Sequence, residues 1–169
     1  EKRGKKCTSV DALVYAVEKD GRKILIPIEW KYTDAYDKKY RANQKSIDRY
    51  VKYANLESSN LKQWISDYEW DSMYEFARQE ILMEQIIREH PMAGYGYFKE
   101  PLIADDFIHI IVRPDANTEI VNDIADFRET IVDKSKLIDV DPKVLLEPLK
   151  GNDKYSELLE YLTKRYWHG

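Results

Sequence analysis

Two stretches near the start of the chain are mostly apolar and rich in β-branched and aromatic residues. Ser9 to Glu18 (SVDALVYAVE) and Arg22 to Tyr32 (RKILIPIEWKY) therefore read as strands. Lys19-Asp20-Gly21 between them is turn chemistry, so the pair forms a β-hairpin. The next segment, 33–66, is polar, with a short helix from about Asn43 to Leu56. Ser66-Asp67-Tyr68-Glu69 has the capping-box pattern of a helix start. A long helix to about Glu89 follows, with Trp70, Met73, Ala77, Ile81, Met83, Ile86 and Ile87 as the stripe that packs on a sheet. Pro91 and Gly94 end it. Phe107 to Val112 (FIHIIV) is a nearly continuous apolar run, the pattern of a buried strand. Glu119 to Thr130 and Tyr155 to Trp167 read as further helices. The order predicts an α/β domain with a mixed sheet and flanking helices.

The chain has 169 residues, 43% of them apolar and 34% charged, which suits one folded domain over 1–169. No apolar run approaches the roughly 20 residues of a membrane span, and no signal peptide opens the sequence. The single cysteine, Cys7, excludes an internal disulfide and a cysteine-based zinc site. A cytoplasmic setting is the simplest expectation. The first residue is Glu, so the chain is also compatible with a piece of a longer product.

The net charge of −4 does not by itself point to nucleic acid, but its distribution is uneven. Residues 1–66 hold 15 Lys/Arg against 9 Asp/Glu, 67–99 hold 3 against 7, and 100–169 hold 9 against 15. The basic excess lies in an arm (Lys2, Arg3, Lys5, Lys6) and in Lys38, Lys39, Arg41, Lys45, Arg49 and Lys52, with Tyr36, Tyr40, Tyr50 and Tyr53 interleaved. That mixture suits contact with phosphates and sugars. The plainer alternative is a solvated helix whose tyrosines pack inward.

Hairpin geometry brings chemistry together. A three-residue loop with Gly last sets Glu18 opposite Arg22, so paired numbers sum to 40 and Asp11 falls opposite Glu29. Alternation puts Glu29 and Lys31 on one face and Trp30 on the other. Opposed Cβ atoms lie about 4.5–5.5 Å apart. A two-residue loop, or a bulge at Pro27, would break the cluster. Facing carboxylates repel unless a cation lies between them, and Mg²⁺ with one or two protein carboxylates and several waters relieves that repulsion. Such a group also suits a cross-strand Asp-Lys-Glu salt-bridge network on a solvated face, and spacing alone leaves both readings open.

Asp11 in the first strand, followed by Glu29-Trp30-Lys31 at the end of the second, resembles the PD-(D/E)XK nuclease superfamily. The strings Thr8-Ser9-Val10-Asp11-Ala12 and Ile28-Glu29-Trp30-Lys31-Tyr32-Thr33 look like a little-characterised bacterial restriction-endonuclease-like group within it. Ala77-Arg78-Gln79 and the final helix are similar in character. The resemblance implies a restriction-endonuclease-like fold and Mg²⁺-dependent endonuclease activity on DNA, with Mn²⁺ as a substitute. It implies that Asp11 and Glu29 hold the metal with the Trp30 carbonyl, that Lys31 assists the attacking water, and that Gln79 supports. Lys5, Lys6, Lys38, Lys39, Arg41, Lys45 and Arg49 would then contact nucleic acid. No membrane partner is expected, and a homodimer is left open.

Val10 replaces the motif's proline, and only ten residues precede Asp11 where the superfamily has a helix and a strand. The resemblance therefore implies that those first elements are missing or that the core is trimmed. The second hypothesis is therefore a catalytically idle nucleic-acid-binding or assembly module on the same fold.

The remaining candidates read as structural. His90, His109 and His168 lack metal-ligand spacing, and His109 reads as a satisfied core or edge histidine. Gly94-Tyr95-Gly96-Tyr97 and Asp105-Asp106 read as turns.

Overall fold

The computed structural model describes residues 9–32, 44–52, 54–68, 71–89 and 102–166. Strands β1 (Ala12–Val17) and β2 (Lys23–Trp30) form the expected hairpin. Gly21 has φ +91°, the left-handed region that its missing Cβ permits. Its N–H donates to the Glu18 carbonyl at 2.9 Å, and the Glu18 N–H donates to the Arg22 carbonyl at 2.8 Å. This closes the three-residue loop and fixes the register, from Val17 opposite Lys23 to Ala12 opposite Ile28. The paired numbers sum to 40, as the turn chemistry dictates.

Pro27 makes no bulge; it pairs with Leu13 in an unbroken ladder. Its effect is on the other side of β2. The Leu25 carbonyl turns away from β1 and accepts from Ile108 N–H at 2.9 Å, so odd-numbered residues of β2 offer their backbone groups to that side. A proline there withholds a donor. The partner run 107–112 is accordingly split, into β3 (Asp106–Phe107) and β4 (His109–Val112), both parallel to β2. The single strand expected from FIHIIV is thus two. Asp106 belongs to a strand rather than a turn, while the Asp105 carboxylate accepts from Lys23 N–H at 2.7 Å.

A fifth strand, β5 (Leu137–Val140), lies parallel to β4 and was not signalled by the sequence pattern. The sheet is mixed, with order β1-β2-β4-β5 and β3 beside β2. This is the α/β class expected.

Helix α1 (Gln44–Val51) is shorter than its polar segment suggested. Helix α2 runs Asp71–Glu89 and buries Met73, Ala77, Ile81, Met83 and Ile86. Ser66 does not cap it. Residues Ile65–Asp67 form a 3-10 turn in which the Ser66 hydroxyl donates to the Asp67 carboxylate. Ile65 and Tyr68 are both fully buried around that turn, so core packing overrides the local capping pattern.

Helix α3 (Val121–Glu129) lies against α2, linked by the Ser72 hydroxyl donating to Asp123. Phe76, Ile81, Ile111, Phe127 and Leu137 join both helices to one face of the sheet in a single core. On the opposite face Ile26, Ile28 and Ile110 are half-buried, and Val14 and Ile138 are exposed. Helix α4 (Pro142–Leu145) is capped by Asp141, and α5 (Ser156–Tyr166) follows. No helix among the described residues is long and apolar enough to cross a membrane.

Candidate active site

β2 alternates its side chains, so Glu29 and Lys31 both point to the face that α2 covers. The Lys31 ammonium lies 2.8 Å from Glu29 Oε1 and 2.6 Å from Glu75 Oε2. Glu75 and Gln79 are four residues apart on α2 and therefore share a helix face. Gln79 Nε2 donates to Glu29 Oε2 at 2.8 Å and to the Ser9 carbonyl at 3.0 Å. One amide thus ties the segment before β1, the end of β2 and the middle of α2 together. Glu29, Lys31 and Gln79 are all buried.

Asp11 lies one residue before β1, where the register places it opposite Glu29. Its carboxylate accepts from Trp30 N–H at 2.8 Å and takes over the edge that β1 has left. The Trp30 carbonyl faces the same edge, because N–H and C=O of one strand residue point to one side. On the other side of β2, Lys31 N–H donates to the Val112 carbonyl, and Asn117 Nδ2 donates to the Lys31 carbonyl, each at 2.8 Å. The strand end that carries the cluster is therefore held from both flanks. The Trp30 ring points away from it and stacks on Tyr32, centroids 5.6 Å apart.

Burial pushes the Glu29 carboxyl above its ordinary range. The Lys31 hydrogen bond and charge oppose this, while the negative charges of Glu75 and Asp11 add to it. Glu29 and Glu75 thus flank the Lys31 ammonium, while Asp11 acts on Glu29 through its charge from the adjoining edge.

The sequence brought Asp11, Glu29, Lys31 and Gln79 to notice, and the fold gathers all four. It missed Glu75 and Asn117. Helical spacing from Gln79 was the available signal for Glu75; no local signal marks Asn117.

Among the basic candidates, Lys5, Lys6, Lys38, Lys39 and Arg41 lie outside the described residues, as does the Lys45 side chain. Arg49 lies in the last turn of α1 and is half-buried. Tyr50 is core, not surface: it is 5% exposed, and its hydroxyl accepts from Arg78 Nε at 3.0 Å. His109 is core as expected but not satisfied. Neither ring nitrogen has a hydrogen-bond partner among the described residues.

Among the described residues no group of three or more His, Cys, Asp and Glu side chains has the arrangement of a metal cage. Among these residues, a cation at the end of β2 would rest on fewer than three such side chains. Mg²⁺ tolerates this, because it keeps several waters and takes one or two carboxylates. A separate cavity of about 270 Å³ opens beside Glu84, Arg88, Asp106 and Lys136. Its Glu84 and Asp106 carboxylates are already bound to Ser59, Asn60 and Lys136.

The family described as Restriction Endonuclease associating with ARP matches residues 1–167. The chain belongs to this family. No curated protein and no solved structure matches it. Membership of a restriction-endonuclease family gives the buried carboxylate-lysine cluster a setting in nuclease chemistry. The α/β fold with its mixed sheet is in keeping with that family.

Proposed function

We propose that this chain is a metal-dependent DNA endonuclease of the PD-(D/E)XK type, with Asp11, Glu29 and Lys31 as its reactive group. The observation that carries the reading is the placement of Lys31 against Glu29 at the end of β2, with Asp11 at the adjoining edge. Membership of a restriction-endonuclease family supports the class of reaction.

The donor set fits a hard cation. Asp11 and Glu29 supply anionic oxygens and Trp30 a backbone carbonyl. Each carboxylate oxygen has two lone pairs, so the hydrogen bonds from Trp30, Lys31 and Gln79 leave positions for a ligand. The burial that pushes Glu29 up is also what a bound cation would offset. When bound, Mg²⁺ or Mn²⁺ would polarise a phosphate oxygen and acidify a coordinated water.

The chain's own residues supply the rest. Gln79 fixes the rotamer of Glu29, and Asp11 fixes the end of β2. Lys31 holds positive charge where a phosphodiester gains negative charge in the transition state. The DNA would lie along the basic segment of Lys38, Lys39, Arg41, Lys45 and Arg49, with the arm at Lys5 and Lys6.

The test is nicking of supercoiled plasmid with Mg²⁺ or Mn²⁺ and without either. Cleavage should need the cation, and Lys31→Ala should slow it by roughly 10²–10³, the size expected for removing one charged group that stabilises the transition state. DNA binding without cleavage under every cation would favour an idle binding module. Neither binding nor cleavage would overturn both readings.

A further inference from the structure

Among the described residues, Glu29 and Glu75 both pair with the Lys31 ammonium, and they are not equivalent. Glu29 belongs to the framework: its strand is paired on both sides, and Lys31 and Gln79 engage both of its oxygens. Its side chain is 9% exposed. Glu75 is on the water side, with a side chain 34% exposed. Among the described residues its only hydrogen bond is to Lys31, at 2.6 Å.

The Lys31 side chain itself is 4% exposed. An anion coming from solvent therefore meets the ammonium on the side that Glu75 occupies. A carboxylate oxygen and a phosphate oxygen are equivalent acceptors for an ammonium, with similar charge-assisted bond lengths. Glu75 can turn into water without disturbing the sheet, whereas Glu29 cannot.

We propose that Glu75 is a placeholder: in the ligand-free chain it fills the position on Lys31 that a backbone phosphate of the nucleic acid takes when it binds. This rests on the endonuclease reading above and adds the docking step. Glu29 and Glu75 face the Lys31 ammonium before binding, and Glu29 and the phosphate face it afterwards. The exchange keeps the ammonium paired at every stage. It also weakens DNA binding, because the incoming phosphate must displace a carboxylate.

The experiment is anisotropy titration of a fluorescein-labelled duplex oligonucleotide without divalent cation, so that no cleavage intervenes. Wild type is compared with Glu75→Gln, Glu75→Ala and Glu89→Gln. Glu89 is exposed on the same helix, bonded to Gln85, and its substitution removes one negative charge away from the cluster. Both Glu75 variants should bind about two- to fivefold tighter than wild type, the range of a solvent-facing ion pair. Glu89→Gln should bind like wild type.

Equal gains at Glu75 and Glu89 would reduce the effect to net charge and overturn the placeholder. Weaker binding by the Glu75 variants would overturn it too, and make Glu75 a positioning residue for Lys31. If wild type cleaves plasmid but the Glu75 variants bind no better, this inference alone fails. If wild type neither binds DNA nor cleaves plasmid, the endonuclease reading fails with it. Thermal melts confirm that each variant is folded.

Discussion

Glu80 Oε1 and His109 Nδ1 face each other 4.0 Å apart, with both side chains fully buried. Asn60 Nδ2 donates to the other Glu80 oxygen at 3.1 Å, and the Phe76 ring packs edge-on against the imidazole. Burial pushes Glu80 up to about 8, with Glu84 adding to the rise and Asn60 and Lys136 opposing it. Burial, with the Lys31 charge, takes His109 down to about 3. Near neutral pH the pair is therefore a carboxylic acid beside a neutral imidazole.

This pair should shape stability against pH. A carboxyl raised in the folded state stabilises fully below its ordinary 4.5, and that contribution is lost as pH rises towards 8. A histidine lowered in the folded state has the opposite sense, losing stability as pH falls from 6.5 towards 3. Between 4.5 and 6.5 the two oppose each other. Urea unfolding should show wild type losing on the order of 1–3 kcal/mol from pH 6.5 to 8.5. Glu80→Gln should be flat there, and an equal slope in the variant would count against a buried acid.

Asp11→Asn is the cleanest probe of the cation. The amide oxygen can still accept from Trp30 N–H, so the edge of β2 is preserved. Wild type should melt higher with excess Mg²⁺, by up to about 2.7 kcal/mol at a hundredfold excess over Kd. Asp11→Asn should gain much less. Glu29→Gln is a harsher change, because its amide nitrogen must face either Lys31 or Gln79, both donors. Without Mg²⁺ it should lose about 1–3 kcal/mol. Equal Mg²⁺ shifts in wild type and Asp11→Asn would make the cluster a salt-bridge network only.

The hairpin turn offers a control remote from chemistry. A Cβ on Gly21 would meet nothing within 4 Å, so Gly21→Ala carries backbone strain alone. It should cost about 1–2 kcal/mol in thermal melts, and Gly21→Asn should cost less. A neutral alanine variant would mean that the loop relaxes to another turn.

The basic segment can be tested by reversing the charge of Lys38, Lys39 and Arg41 together. DNA affinity should fall, and the slope of log K against log salt should shrink by about 0.9 for each phosphate that the variant no longer neutralises. An unchanged slope would place the segment away from the substrate.

Local chemistry made the hairpin readable. Lys19-Asp20-Gly21 sets the register, and the register alone brings Asp11 to Glu29 and puts Lys31 on the face of Glu29. The apolar spacing of Met73, Ala77 and Ile81 likewise announced α2 and the face it buries. Glu75 was not readable, because its role depends on which turn of α2 crosses the end of β2. β5 is only four residues long and carries no pattern of its own. The Ser66 capping box misled because burial of Ile65 and Tyr68 outweighs one cap hydrogen bond. The unsatisfied state of His109 was hidden as well, since it depends on Glu80, 29 positions earlier.

The inner position of β2 has a consequence for synthesis. The β1–β2 hairpin is local and can close as soon as residue 30 has emerged from the ribosome. Its other edge waits for β4, which ends at Val112, and Lys31 waits for Glu75. Pairing across such a sequence separation is the slow, entropically costly part of folding. A nascent chain that stops short of Val112 thus carries the motif residues without the parallel neighbour that holds them, and the proposed phosphodiester chemistry is withheld until β4 has been made.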